Sequence, residues 1–257
     1  MRRIVAIAAA AALATALAAG AAEAGGKKVR IGTEGAYPPF NYFDSNKNLI
    51  GFDIDIAKAL CEKANFDCVF VAQDWDGIIP GLLAKKYDAI IASMSITAER
   101  KKRVDFTDKY YNTPARFIAK KGAGLTISPA GMKGKVIGAQ RSTIHSNYLE
   151  DNYSGSTLRF YATQDEANMD LVAGRLDAVL ADSIVLYEWM NKTSEGKCCE
   201  FVGAPLTDPK WFGDGAGIAI RKGDTALREA FNKAIAAIRA DGTYERINAK
   251  YFPFSIY

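Results

Sequence analysis

Two stretches of this chain, Leu82-Leu-Ala-Lys-Lys-Tyr-Asp-Ala-Ile-Ile91 and Leu171-Val-Ala-Gly-Arg-Leu-Asp-Ala-Val-Leu180, spell one pattern: a helix end, a basic residue, an apolar residue, then Asp-Ala opening an apolar run. Each closes a longer series with the grammar β-α-β-α-β. In the first series residues 29–33, 68–72 and 89–92 read as strands, and 52–60 and 78–85 as helices. The second repeats this with strands at 136–139, 157–161 and 178–181 and helices at 144–150 and 164–173. Ala89-Ile-Ile-Ala92 shows no polar alternation, which points to a parallel sheet covered on both faces. A series written twice favours two α/β lobes over one sheet. The remaining strand at 217–221 and helices at 225–240 and 244–250 are too little for a third lobe, so they are expected to pack back on one of the two.

Composition agrees and removes other classes. The chain has 257 residues, 33 Lys+Arg against 29 Asp+Glu and 49% hydrophobic residues, which excludes disorder, collagen and a disulfide miniprotein. Two lobes of roughly 100 residues each fit that length. A formal charge of +4 is too slight to imply a polyanion, so no nucleic-acid partner is expected. Met1-Arg-Arg3, an Ala-rich apolar run and the small-x-small exit Ala22-Glu-Ala24 have the order of a secretory signal peptide over 1–24, with a cut after Ala21 as the alternative. Export follows from that leader.

Export changes the reading of the four cysteines. Cys61 and Cys68 flank a short polar connection, where a local disulfide and two buried thiols are both open. Cys198 and Cys199 are adjacent, and a bridge between neighbours is strained; free thiols, a vicinal bridge and intermolecular pairing all stay open. No His or Cys cluster has metal-site spacing, and neither a metal nor a cofactor is expected. The single histidine, His145, reads as a surface residue on a polar helix start.

Ligands of open α/β sheets sit beyond the carboxyl ends of strands. Those ends offer Glu34 and Tyr37, then Trp75, then Ser93, Ser95 and Arg100, then Arg141, Ser142 and Thr143, then Asp182. No nucleophile-base pair and no phosphate-cradling glycine loop is among them. The set can grip a zwitterion: a guanidinium takes a carboxylate, helix N–H groups assist, and a carboxylate takes the ammonium. Each member also has a plainer role. Arg100 opens the basic run to Arg103, Tyr37 can pack its loop, Trp75 can cover a helix start, and Asp182 can cap the helix after it. Asp53, near the start of a helix, is assigned to capping.

Taken together, Gly32-Thr-Glu-Gly-Ala-Tyr-Pro-Pro-Phe40, Gly51-Phe-Asp-Ile-Asp55, Asp74-Trp-Asp-Gly-Ile-Ile-Pro80, Tyr87-Asp-Ala-Ile-Ile-Ala-Ser-Met-Ser-Ile-Thr97 with Glu99-Arg100, and Asp241-Gly-Thr-Tyr244 resemble the periplasmic solute-binding proteins for polar amino acids (family 3). The likeness is to the lysine/arginine/ornithine and histidine-binding branch of ABC transporters, and it runs the length of the mature chain. It implies a two-lobed type II periplasmic-binding fold with the cleft between lobes: 25–111 and 214–257 as lobe one, 116–202 as lobe two, and 112–115 and 203–213 as hinges. It implies a monomer without enzymatic activity that binds a small-molecule amino acid and delivers it to an inner-membrane ABC permease.

By the same resemblance, Arg100 clamps the ligand α-carboxylate, with Ser95 and the backbone of Thr143 and Ile144 adding hydrogen bonds. Asp182 meets the α-ammonium, helped by Ser93. Tyr37 and Trp75 sandwich the ligand side chain, and Glu34 meets a distal cation. Stacked rings suit the stem and charge of a basic amino acid. The resemblance also implies a Cys61–Cys68 disulfide. Departures from the branch are Ser142 for Gly, Ile144 and Ala92 for hydroxyl residues, and Glu34 for a shorter Asp. The longer acid favours a shorter cation such as ornithine, or leaves arginine binding intact through another rotamer. An opine or a neutral polar amino acid is the alternative ligand, and a cyclohexadienyl dehydratase-like enzyme, with Glu34 as its acid, the alternative activity.

Overall fold

In the computed structural model, which describes residues 26–257, the two series build two five-stranded mixed sheets on one plan. The first begins with β1 (Lys27–Thr33) and a small antiparallel meander, β2 (Ala36–Tyr37), β3 (Asn41–Phe43) and β4 (Leu49–Ile50). It continues through α1 (Phe52–Lys63), β5 (Phe66–Ala72), α2 (Trp75–Leu83), β6 (Ala89–Ile90), α3 (Ala98–Lys101) and β7 (Val104–Tyr111). The chain then crosses into the second: β8 (Ala115–Lys120), β9 (Val136–Gln140), α4 (Ile144–Asn152), β10 (Thr157–Tyr161), α5 (Gln164–Val172), β11 (Ala178–Asp182), α6 (Ser183–Lys192), β12 (Cys199–Leu206) and α7 (Pro209–Phe212). It returns to the first as β13 (Ala216–Arg221), α8 (Thr225–Ala240) and α9 (Thr243–Tyr251). The expected leader, 1–24, lies outside the described residues.

Strand order is β5-β1-β6-β13-β7 in one sheet and β10-β9-β11-β8-β12 in the other. In each, the first strand of the series lies between and parallel to the next two, and two further strands, each antiparallel to its neighbour, complete the far side. The unbroken apolar run at 89–92 is therefore parallel to β1 on one side only and antiparallel to β13 on the other. The Asp-Ala pattern has a physical cause. Asp88 N–H donates to the Arg30 carbonyl at 2.8 Å, and the Arg30 N–H donates back to Asp88 Oδ2 at 3.0 Å. Asp177 and Val136 make the same exchange in the second sheet, at 2.8 Å each way. Each aspartate thus pins the third strand of its series in register with the first. Burial opposes ionisation of Asp88, but the guanidinium groups of Arg30 and Arg221 outweigh it and hold the carboxyl down to about 2.

The first lobe's core is aromatic beneath the cleft. Phe40 stacks on Tyr111 with ring centroids 4.7 Å apart, Phe52 meets Tyr111 edge-on, and Phe252 of the C-terminal segment closes the group. Helix α8 turns Leu227, Phe231, Ile235 and Ile238 onto this core. In the second lobe Phe117, Ile137, Leu149 and Leu180 pack on one face of the sheet, and Leu171, Val179 and Leu186 on the other.

Asp53 is not a cap. Helix α1 has no side-chain capping bond. The fully buried Asp53 carboxylate instead accepts from Asn41 Nδ2 at 2.8 Å, Ser93 Oγ at 2.9 Å and the Tyr110 hydroxyl at 2.8 Å. It ties the meander, the β6 end and β7 together. Cys61 and Cys68 are bonded, stapling α1 to β5 across a sequence separation of 7, whereas Cys198 and Cys199 are free thiols.

Two stability effects follow. Asp53→Ala strands three buried donors and is expected to cost about 3 kcal/mol or more by urea denaturation. Cys61→Ser with Cys68→Ser opens a short loop and is expected to cost about 2–3 kcal/mol in the same assay.

Candidate ligand-binding site

The carboxyl ends of both sheets face one cleft of about 310 Å³ between the lobes. All nine residues singled out from the sequence line it: Glu34, Tyr37, Trp75, Ser93 and Ser95 with Arg100 on the first lobe, and Thr143, Ile144 and Asp182 on the second. Ala92, Gln140 and His145 line it too.

Arg100 comes from α3, whose N-cap is Thr97, accepting from the Arg100 N–H. Its Nη1 donates to the Ser95 carbonyl at 3.0 Å, and its guanidinium lies 5.3 Å from the centroid of the Trp75 ring. Ser95 therefore aims the arginine through its backbone. Burial lowers the Arg100 pKa to about 10, with the charge of Asp182 opposing the fall. The residue is not the solvated start of a basic run.

Asp182 ends β11 and makes no capping bond to α6. Its Oδ2 accepts from the Tyr37 hydroxyl at 2.6 Å, across the cleft. Burial raises its pKa to about 6, while the Tyr37 bond and Arg100 pull the other way. Ser93, at φ 55°, donates its hydroxyl to Asp53 and so keeps only lone pairs for the cleft. A serine oriented in this way accepts from an ammonium.

The start of α4 departs from expectation. Thr143 forms a capping box: its Oγ1 accepts from the Ser146 N–H and its own N–H donates to Ser146 Oγ. The Thr143 backbone donor is thus already used, and the first-turn N–H groups of Ile144 and His145 remain without a hydrogen-bond partner among the described residues. They form a site for an anion at a helix N-terminus. His145 is itself 3% exposed, so it is a buried residue and not a surface one.

Three further bonds cross the cleft. Trp75 Nε1 donates to the Ser142 carbonyl at 3.0 Å, Arg141 Nε to Asp76 Oδ2 at 2.7 Å, and Gln140 Nε2 to Glu34 Oε1 at 2.5 Å. Gln140 also donates to the Ala162 carbonyl at 3.0 Å. Burial pushes Glu34 up to about 7; the Gln140 bond resists this, and Asp74 and Asp76 add to it. Gln140 escaped the sequence reading because its amide sits at the last residue of a strand and carries no charge to draw notice. Its position, one step past an apolar strand and before Arg141, was the available signal.

A family model described as bacterial extracellular solute-binding proteins, family 3, matches residues 29–254. The chain belongs to that family. It is 53% identical over 233 residues to the L-arginine-binding protein of Pseudomonas aeruginosa, covering 90% of each chain. It is 42% identical over 231 residues to the lysine/arginine/ornithine-binding periplasmic protein of Escherichia coli, covering 89% of each. Among solved structures, an ancestral arginine-binding protein bound to arginine superposes with a TM-score of 0.80 at 38% identity, covering 88% of this chain and 98% of that one. The two-lobed fold is therefore the family's fold, with its cleft where the strand ends converge.

Because the Gln140 amide lowers the Glu34 pKa, Gln140→Leu is expected to move the Glu34 midpoint upward. Carboxyl carbon NMR of the ligand-free protein against pH reads the shift, and a midpoint that stays or falls contradicts the assignment.

Proposed function

We propose that this chain is the periplasmic substrate-binding component of an amino-acid ABC transporter. It closes two lobes on an L-amino acid with a cationic side chain, L-arginine foremost, and delivers it to the inner-membrane permease. The observation that carries this reading is the set of groups lining one cleft: the Arg100 guanidinium, the start of α4, the Asp182 and Glu34 carboxyls, and the Tyr37 and Trp75 rings. One cationic and two acidic groups complement a carboxylate, an α-ammonium and a distal cation. The names of the similar proteins support the ligand class, and both curated relatives are named as binding proteins, in keeping with a chain that performs no chemical step.

In this reading lobe one is 25–111 with 214–257, lobe two is 116–202, and 112–115 and 203–213 are the hinges. The sheet memberships support the division, since β7 and β13 share one sheet and β8 and β12 the other. The protein works as a monomer, exported by cleavage of residues 1–24.

Titration calorimetry of the mature chain against Lys, Arg, Orn, His, Gln and octopine tests the ligand class. A cationic amino acid is expected to bind at least about tenfold tighter than Gln, a gap of about 1.4 kcal/mol. Glu34→Gln is expected to erase the gap. Failure of every cationic ligand rejects the specificity.

The pH dependence has a definite sign. With Glu34 raised to about 7 by burial, the free protein holds a proton there at lower pH and must release it to meet a cation. Affinity for L-arginine should therefore fall between about pH 8 and about pH 6, toward tenfold per unit. L-Citrulline, uncharged in its side chain, should change by less than about threefold over that window. Equal slopes for the two would remove Glu34 from the distal subsite. Incubation with prephenate or arogenate should give no aromatic product.

A further inference from the structure

His145 is the single histidine of the chain. It stands in the first turn of α4 with its side chain 4% exposed, and it walls the same cleft as Arg100 and Asp182. Its Nε2 is buried with no hydrogen-bond partner among the described residues, and it faces Asp182 Oδ1 at 3.7 Å. The Phe212 ring lies 6.2 Å from the imidazole. An unpaired buried polar nitrogen costs stability, which raises the question of a state that uses it.

Which state uses it follows from the carboxylate. Asp182 Oδ2 is taken by the Tyr37 hydroxyl from the opposite lobe, and no donor among the described residues reaches Oδ1. Burial and then the charge of Arg100 keep the imidazole neutral. A neutral imidazole nitrogen facing a carboxylate oxygen is favourable as N–H and unfavourable as a lone pair, which selects the Nε2–H tautomer.

We propose that His145 is a positioning residue for Asp182. When the ligand ammonium takes the place of Tyr37 at Oδ2, the Nε2–H of His145 closes from 3.7 Å onto Oδ1, to about 2.9 Å. Both carboxylate oxygens are then held, and the acid is fixed in the orientation that receives the α-amino group. This rests on the amino-acid reading above.

With only one histidine, an untagged mature protein gives an imidazole 15N spectrum that needs no assignment. The ligand-free protein should show Nε2 protonated and Nδ1 unprotonated, and saturation with L-arginine should move the Nε2 proton downfield. By calorimetry His145→Phe should weaken L-arginine about tenfold or more, and His145→Gln, which restores an N–H donor, should recover most of that. The ligand 5-guanidinopentanoate lacks the ammonium, and its affinity should change by less than about twofold in His145→Phe. An Nδ1–H tautomer, an Nε2 proton unmoved at saturation, or equal losses for both ligands without recovery in His145→Gln overturns the assignment. Should His145→Phe fail to fold, the wild-type spectrum and His145→Gln decide. A wild type that binds L-arginine with an unmoved imidazole removes the role of His145 alone; one that binds no amino acid removes the cleft reading and this role with it.

Discussion

The molecule depends on the register between the first and third strands of each series. Asp88 and Asp177 set it by the same reciprocal exchange with a backbone amide. Once β6 starts level with β1, its continuation delivers Ala92, Ser93 and Ser95 to the sheet's carboxyl edge. Once β11 starts level with β9, its last residue is Asp182. A slip of one residue would turn these side chains to the opposite face and dissolve the cleft. Two half-buried aspartates outside the cleft lining thus determine where its ligand-facing groups lie.

Those groups are ionisable and wholly or partly buried, a costly state for a charge without partners. Each has a neutral partner in the structure described. Asp182 has the Tyr37 hydroxyl, Glu34 the Gln140 amide and Arg100 the Ser95 carbonyl. A zwitterionic ligand would exchange these neutral partners for charged ones, and charge-assisted bonds are roughly twice as strong. Since two of the three neutral partners reach across the cleft, the groups a ligand must displace are among those that bridge the lobes without it.

Much of this was legible in the sequence because it follows local rules. The doubled series, the strand ends and the charged residues at them come from periodicity and position, while the resemblance supplied the nine-residue set, and the structure brings all nine side chains to one cleft. What escaped depends on contacts between distant segments. Asp53 looks like a cap because it sits at a helix start, but its partners Asn41, Ser93 and Tyr110 arrive from three other elements. His145 looks exposed because its helix opens with polar residues, yet Phe212 and Asp182 enclose it from parts of the chain with no sequence signal pointing there. The Thr143 capping box is a local motif, but it uses Ser146 in the place usually held by an acid or amide, so the familiar spacing rule passes over it. β12 and α7 were missed because short, mixed-polarity segments carry little periodicity.

The strand orders place β13 between β6 and β7, although it is made more than a hundred residues later. The second lobe has all its strands on one unbroken stretch of chain, from β8 to β12. In chain order the second sheet's strands are therefore complete while the first still has a gap in its middle, with β6 and β7 lacking their shared neighbour. The aromatic core around Phe40 and Phe52 also waits for Phe252, five residues before the end. The half of the protein made first is the half finished last, so a chain still in synthesis cannot close its own cleft.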